Sequence, residues 1–177
     1  YVNLEPCSHH GKTPPCCDLI LTKGVKRVII GAMDPNPKVA GSGIAALKAA
    51  GIEVISGIME DACLELNKRF YCFHTKKRPY IILKWAQTGD GYIAPEDHKK
   101  GEVFWISDAD SQQLAHRWRA EEHAILVGRK TVDDDNPLLT TRKWTGNNPI
   151  RLVIDPNNNI KEHALVLNED AKTVIFN

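Results

Sequence analysis

Arg27-Val28-Ile29-Ile30-Gly31, the segment Gly43–Ala50, Gly51 and Ile52-Glu53-Val54-Ile55-Ser56 form the stretch that decides the fold. The first run is apolar, β-branched and strand-sized. A helical segment follows, Gly51 stops it, and the second apolar run reads as another strand. Two strands joined through a helix pair in parallel, because only a long crossover returns the chain in the same direction. Met33-Asp34-Pro35-Asn36-Pro37 lies between strand and helix and must be a loop, since each Pro disfavours helix at the residue before it. Working outward, Tyr1-Val2-Asn3-Leu4 reads as the end of a strand. Thr13-Pro14-Pro15 leads into a helix over Cys16–Thr22, with Gly24 beyond its end. Glu60–His74 is amphipathic, with Ala62, Leu66, Phe70 and Phe73 on or near one face.

Lys76-Lys77-Arg78-Pro79 is a charge run ending at Pro, and it divides the chain into units 1–75 and 79–177. The second unit repeats the α/β pattern, with strands expected at Tyr80–Ala86, His123–Gly128, Pro149–Asp155 and Thr173–Phe176. Ser107-Asp108-Ala109-Asp110 resembles a capping box opening a helix over Asp108–Ala120. The segment from Gly128 to Arg142 reads as a polar loop. The sequence is expected to start inside one domain and to stop inside another, on the strand that ends near Asn177.

The 177 residues are 42% hydrophobic and 25% charged, an ordinary globular composition that argues against disorder and collagen-like repeats. A formal net charge of +1 leaves no basic field to hold a nucleic-acid backbone. Residues 1–78 carry 11 basic and 7 acidic groups (+4), and residues 79–177 carry 12 and 15 (−3), a hint of two units with different ligands. The longest apolar runs are too short to span a bilayer. Five Cys, an odd number, argue against a complete secreted disulfide framework and for a reducing cytoplasm.

Leu4-Glu5-Pro6-Cys7-Ser8-His9-His10-Gly11-Lys12-Thr13-Pro14-Pro15-Cys16 places two thiols nine positions apart, the second at a helix start. A helix N-terminus favours the thiolate, so Cys16 is expected to ionise easily. Thiolates suit zinc, and two Cys plus one His would leave a fourth position for water. As a bare pair the two Cys match none of the usual structural-zinc spacings and read rather as ordinary small buried residues. The whole string closely resembles the deaminase half of the bifunctional riboflavin-biosynthesis deaminase/reductase family, within the zinc-dependent cytidine-deaminase-like superfamily. The resemblance implies that Cys7 and Cys16 ligate catalytic zinc. It also implies that His9, Lys12, Asp34 and Asn36 contact the aminopyrimidine or its ribose phosphate; without it, Asp34 and Asn36 are turn formers. In that family the third ligand and a proton-shuttling Glu belong to a His-Ala-Glu motif upstream of residue 1. These 177 residues contain no His-x-Glu, so the chain is expected to lack the general acid/base and to be incomplete as a zinc site.

Lys84-Trp85-Ala86-Gln87-Thr88-Gly89-Asp90-Gly91, Trp105-Ile106-Ser107, Arg119, and the run Gly128-Arg129-Lys130-Thr131-Val132 through Asp135, Pro137, Leu139-Thr140 and Arg142 follow in that order. Singly they are weak: Lys84 reads as a solvated residue and Arg119 as a cation at a helix C-terminus. In register they resemble the reductase half of the same family, which shares the dihydrofolate-reductase fold. The resemblance implies NADPH contacts at Gln87, Trp105, Thr131 and Asp135, and substrate contacts at Arg119, Leu139 and Arg142. It puts Lys84 beside the sugar carbon that accepts hydride. Val103 and Pro156 stand where relatives carry polar or hydroxyl residues.

The resulting expectation is an α/β chain: the C-terminal part of a cytidine-deaminase-like three-layer domain, then the N-terminal part of a dihydrofolate-reductase-like domain. By resemblance it deaminates 2,5-diamino-6-(5-phosphoribosylamino)pyrimidin-4-one with Zn2+ and reduces the ribosyl group to ribityl with NADPH. Its expected partners are small phosphoribosyl-pyrimidines and further copies of itself, with no nucleic acid and no membrane. The alternatives are a nucleic-acid or free-base zinc deaminase, and a non-catalytic fragment. A nucleic-acid deaminase would want a basic groove and stacking aromatics, which a 7% aromatic content argues against.

Overall fold

The computed structural model describes residues 1–97 and 104–177, and Val103 lies outside the described residues. The chain forms two compact units that divide between Leu83 and Lys84. Each has a parallel three-stranded sheet and its own apolar core.

In the first unit β1 (Val2–Leu4), β2 (Arg27–Ala32) and β3 (Glu53–Ser56) pair in that order. Val2 stands opposite Ile30, and Val28 opposite Val54. α1 (Cys16–Thr22) and α2 (Ser42–Ala49) make the crossovers. Side chains alternate along β2. Val28 and Ile30 pack with Cys17 of α1, Leu47 of α2 and Ile52. Gly31 faces the other way, where a Cβ would stand 2.2 Å from the Cys63 sulfur of α3 (Glu60–Leu66). Only glycine admits a helix that close to the strand. Helices thus cover both faces of this sheet, giving three layers.

The single helix expected over Glu60–His74 is two helices, α3 and α4 (Lys68–Lys76). Asn67 separates them with φ −100° and ψ 17°. Its side-chain amide donates to the Cys63 carbonyl at 2.9 Å, offering the backbone an alternative to continued helix.

In the second unit β4 (Ala124–Gly128), β5 (Ile150–Ile154) and β6 (Thr173–Phe176) pair in parallel in that order. α5 (Ala109–Glu121) precedes β4, and the Asp108 side chain caps it by accepting the Ser111 N–H at 2.8 Å. The core gathers Val132, Leu139, Val153, Ala164 and Val166.

Two expectations are corrected here. Tyr80–Ala86 is not a strand: no described strand pairs with it, and Ile81, Leu83 and Trp85 are exposed. An apolar, β-branched run is a strand only when a neighbour completes its ladder. Residues 129–135, read as loop, form the helix α6 (Arg129–Asp135). Its charges pair at i,i+4, Arg129 with Asp133 and Lys130 with Asp134, while Val132 is buried. Among the described residues no helix is long and apolar enough to cross a membrane.

Candidate functional sites at the strand ends and around two arginines

The loops that follow β1 and β2 leave the C-terminal edge of the first sheet, where open parallel sheets hold ligands. Cys7 lies on the first loop and Cys16 opens α1. The Cys16 N–H donates to the Cys7 sulfur at 3.3 Å, and the Cys17 N–H to the Cys7 carbonyl at 3.1 Å. The helix start therefore serves Cys7 rather than Cys16. The Cys16 thiol, expected to ionise easily, is instead pushed up: hydrogen bonding to Cys7 is the largest cause, then burial, then the charge of Cys7. Two thiols this close oppose each other's ionisation, and a divalent cation would relieve that opposition. Among the described residues no group of three His, Cys, Asp or Glu is placed to hold a metal. The residues present fit zinc as a pair of sulfur ligands, not as a complete set.

Glu5, which the sequence reading passed over, organises this end of the sheet. It is buried, and four backbone N–H groups donate to its carboxylate. Gly43 and Ile44 reach Oε1 at 3.0 and 3.1 Å, and Gly41 and Asp34 reach Oε2 at 2.9 and 3.3 Å. One side chain thus caps α2 and holds the start of the 34–41 loop. The Leu4–Cys16 string includes it, but no local signal announces this role, because its partners lie 29 to 39 residues away. Asp34 is buried and accepts the Asn36 N–H at 2.7 Å, and Asn36 accepts the Lys38 N–H at 3.1 Å. Both are turn formers locally, as the bare sequence allowed. Ser8 and Ser42 join their hydroxyls at 2.7 Å, tying the Cys7 loop to α2. His9 and Lys12 are exposed on that loop.

In the second unit, Arg119 of α5 and Arg142 converge. Both guanidiniums donate to the Thr140 carbonyl, at 3.3 and 3.4 Å, and Arg142 also donates to the Thr140 hydroxyl at 2.9 Å. Neither forms an ion pair with a carboxylate among the described residues. Burial, then the charge of Arg142, pulls the Arg119 guanidinium below its usual range, and its buried Nε has no partner among the described residues. The preceding Leu139 is buried with φ +54°, a conformation bulky residues rarely adopt. Arg142, Lys143, Trp144, Thr145 and Gln113 line a cavity of about 530 Å³. Two guanidiniums meeting at one carbonyl, with Arg142 and Lys143 on an open surface depression, suit a dianionic group such as a phosphate monoester.

The other expected residues are not gathered there. Lys84 and Gln87 are exposed in the irregular 80–97 segment, where the Trp85 indole N–H donates to Gln87 at 2.9 Å. Trp105 is exposed. Thr131 and Asp135 stand one turn apart on α6. Pro156 follows the buried Asp155, whose Oδ2 accepts the Ile160 N–H at 2.9 Å. No hydrogen bond among the described residues joins Lys84, Gln87, Trp105, Thr131 or Asp135 to Arg119 or Arg142.

A family model described as the RibD C-terminal domain matches residues 79–177. The riboflavin biosynthesis protein RibD of Aquifex aeolicus is 46% identical over 178 residues, covering 99% of this chain and 49% of the relative. RibD of Escherichia coli is 39% identical over 187 residues, covering 98% and 50%. Among solved structures, a diaminohydroxyphosphoribosylaminopyrimidine deaminase/5-amino-6-(5-phosphoribosylamino)uracil reductase from Thermotoga maritima superposes with a TM-score of 0.88 at 43% identity, covering 97% of this chain and 48% of that one. A RibD from Acinetobacter baumannii superposes with a TM-score of 0.85 at 36% identity, covering 98% and 50%. The chain spans about half the length of the relatives it matches.

Proposed function

We propose that this chain, which belongs to the RibD C-terminal domain family, carries parts of both halves of a bifunctional riboflavin-biosynthesis enzyme. Residues 1–75 belong to a zinc-dependent pyrimidine deaminase of the cytidine-deaminase-like fold, and residues 79–177 to an NADPH-dependent reductase. The protein works on phosphoribosyl-pyrimidines in a reducing cytoplasm, as a homo-oligomer.

The observation that carries the reductase reading is the pair of guanidiniums on one carbonyl, neither paired with a carboxylate among the described residues. Arg119 and Arg142 grip the ribose phosphate of the substrate, and buried Leu139 shapes the backbone that presents them. Lys84 lies beside the sugar carbon to be reduced, and Gln87, Trp105, Thr131 and Asp135 hold the cofactor. NADPH, when bound, supplies the hydride. In the deaminase half Cys7 and Cys16 are two of the zinc ligands, and His9, Lys12, Asp34 and Asn36 bind the aminopyrimidine or its phosphate. Zinc, when held there, supplies Lewis acidity. The third ligand and the proton-shuttling carboxylate are not supplied by any His-x-Glu in these 177 residues.

Arg142→Lys tests the reductase assignment. Lys keeps the charge but not the planar fork, so substrate affinity drops about tenfold to over a hundredfold, the range for hydrogen bonds to charged groups, with NADPH affinity unchanged. Substrate and NADPH titrations of the variant read this directly. Unchanged substrate affinity with weakened NADPH binding overturns the assignment. For the other half, Cys16→Ser in an enzyme carrying both reactions abolishes deamination and leaves hydride transfer intact. Equal loss of both rejects separate sites.

A further inference from the structure

His116 is the least exposed polar group of α5 and has no role in the reading above, yet it touches both arginines. Its Nδ1 accepts the backbone N–H of Arg142 at 2.9 Å. That nitrogen must therefore be unprotonated, and the neutral ring carries its proton on Nε2. Arg119 Nη1 stands 3.4 Å from Nδ1 and 3.3 Å from Nε2. A donor lying in the ring plane cannot sit that evenly from both nitrogens without colliding with the carbon between them, so the guanidinium lies over the ring face. One imidazole thus fixes the main chain of one arginine and supports the side chain of the other.

We propose that His116 is a positioning residue of the anion grip: as an uncharged acceptor it sets the backbone of Arg142 and supports Arg119 on its ring, so that two guanidiniums meet one dianion. This rests on the reading of Arg119 and Arg142 as the phosphate grip and adds what aligns them. The charged groups facing the ring are Arg119 from its own helix and Arg142 and Lys143 from the following loop. Burial, then these cations, push the ring down to about 4, with the Thr140 carbonyl acting the other way. The ring is neutral wherever the arginines are needed. A protonated ring would lose the Arg142 bond and add a fourth positive charge to those of Arg119, Arg142 and Lys143.

Inorganic sulfate is the probe, because it stays dianionic across the useful pH range. It is titrated at pH 7.5 against the full chain and against His116→Phe, His116→Asn and Arg142→Gln. Phe keeps a ring under Arg119 but strands the Arg142 N–H, and sulfate binding weakens about tenfold. Asn places an oxygen where Nδ1 was and restores binding to within about threefold of wild type. Weakening by Arg142→Gln but not by His116→Phe overturns this inference and leaves the arginine grip standing. No effect of either variant overturns both. A second measurement needs no variant: ring nitrogen resonances of the wild-type chain, followed through pH. Sulfate held by a grip that needs the uncharged ring favours the unprotonated form, so saturating sulfate moves the His116 midpoint downward, as linkage requires. A midpoint that sulfate leaves in place or raises, or a proton found on Nδ1, refutes the proposal.

Discussion

Glu5→Gln is the sharpest perturbation of the first unit, because it changes a charge and almost no volume. Four N–H donors converge on this buried carboxylate, two on each oxygen. The glutamine oxygen can serve one pair only. Its NH2 group then faces the other two donors, so two charge-assisted hydrogen bonds are lost. At about 1.5–3 kcal/mol each the loss is about 3–6 kcal/mol. A domain has on the order of 5–15 kcal/mol of stability, so the change is large. The distribution of tryptophan supplies the assay. All four (Trp85, Trp105, Trp118 and Trp144) lie in the second unit. Indole fluorescence therefore reports that unit alone, while far-ultraviolet circular dichroism reports both. With a urea slope of about 2 kcal/mol per molar, the dichroism transition of the first unit moves down by roughly 2 M. The fluorescence transition stays in place. A dichroism curve within about 0.5 M of wild type refutes Glu5 as the clamp, and equal displacement of both signals refutes an effect confined to the first unit.

Arg151→Met probes the second unit. Arg151 is fully buried on β5, and its guanidinium donates to the Leu138 carbonyl at 3.2 Å, to the Asn168 side chain and carbonyl at 2.8 and 2.6 Å, and to the Ala171 carbonyl. Stranding these acceptors costs at least about 3 kcal/mol, read as a lowered fluorescence-detected urea midpoint; a loss under 1 kcal/mol contradicts it. The pH dependence of this unit follows from His116, whose folded pKa is lowered to about 4 from 6.5. Above pH 6.5 the ring is neutral whether folded or not. As pH falls towards 4 the unfolded chain takes up a proton that the folded chain refuses, so stability declines across this window by at most about 3 kcal/mol. Melts at stepped pH on wild type and His116→Asn isolate the contribution: the variant's decline is shallower, and identical slopes reject it.

Local sequence determined the elements whose signals are local. Strand β2, helix α2 and strand β3 follow from β-branched runs, Gly51 and the prolines of residues 33–37, because periodicity and backbone restriction act over a few residues. The family motifs were equally legible, since Cys7, Cys16, Arg119 and Arg142 are side chains that can be counted along the chain. Even α6 had a readable signature in its i,i+4 charge pairs, overshadowed by its polar composition.

Tertiary structure alone decided which of these groups meet and what each meeting does. The apolar run Tyr80–Ala86 has a strand's composition but no ladder partner among the described residues, and pairing is a property of two segments. Cys16 sits at a helix start as the sequence indicated, yet the neighbouring Cys7 takes the N–H and reverses the expected ionisation. Glu5 lay inside the family string without a role assigned to it, and His116 carried no motif. Their roles arise from donors 29 to 39 and 26 positions away along the chain, brought to one carboxylate and one ring nitrogen by folding. Hydrogen bonds and electrostatic fields depend on distance in space, so a sequence names the groups, and the packing of sheet, helix and loop decides which of them are neighbours.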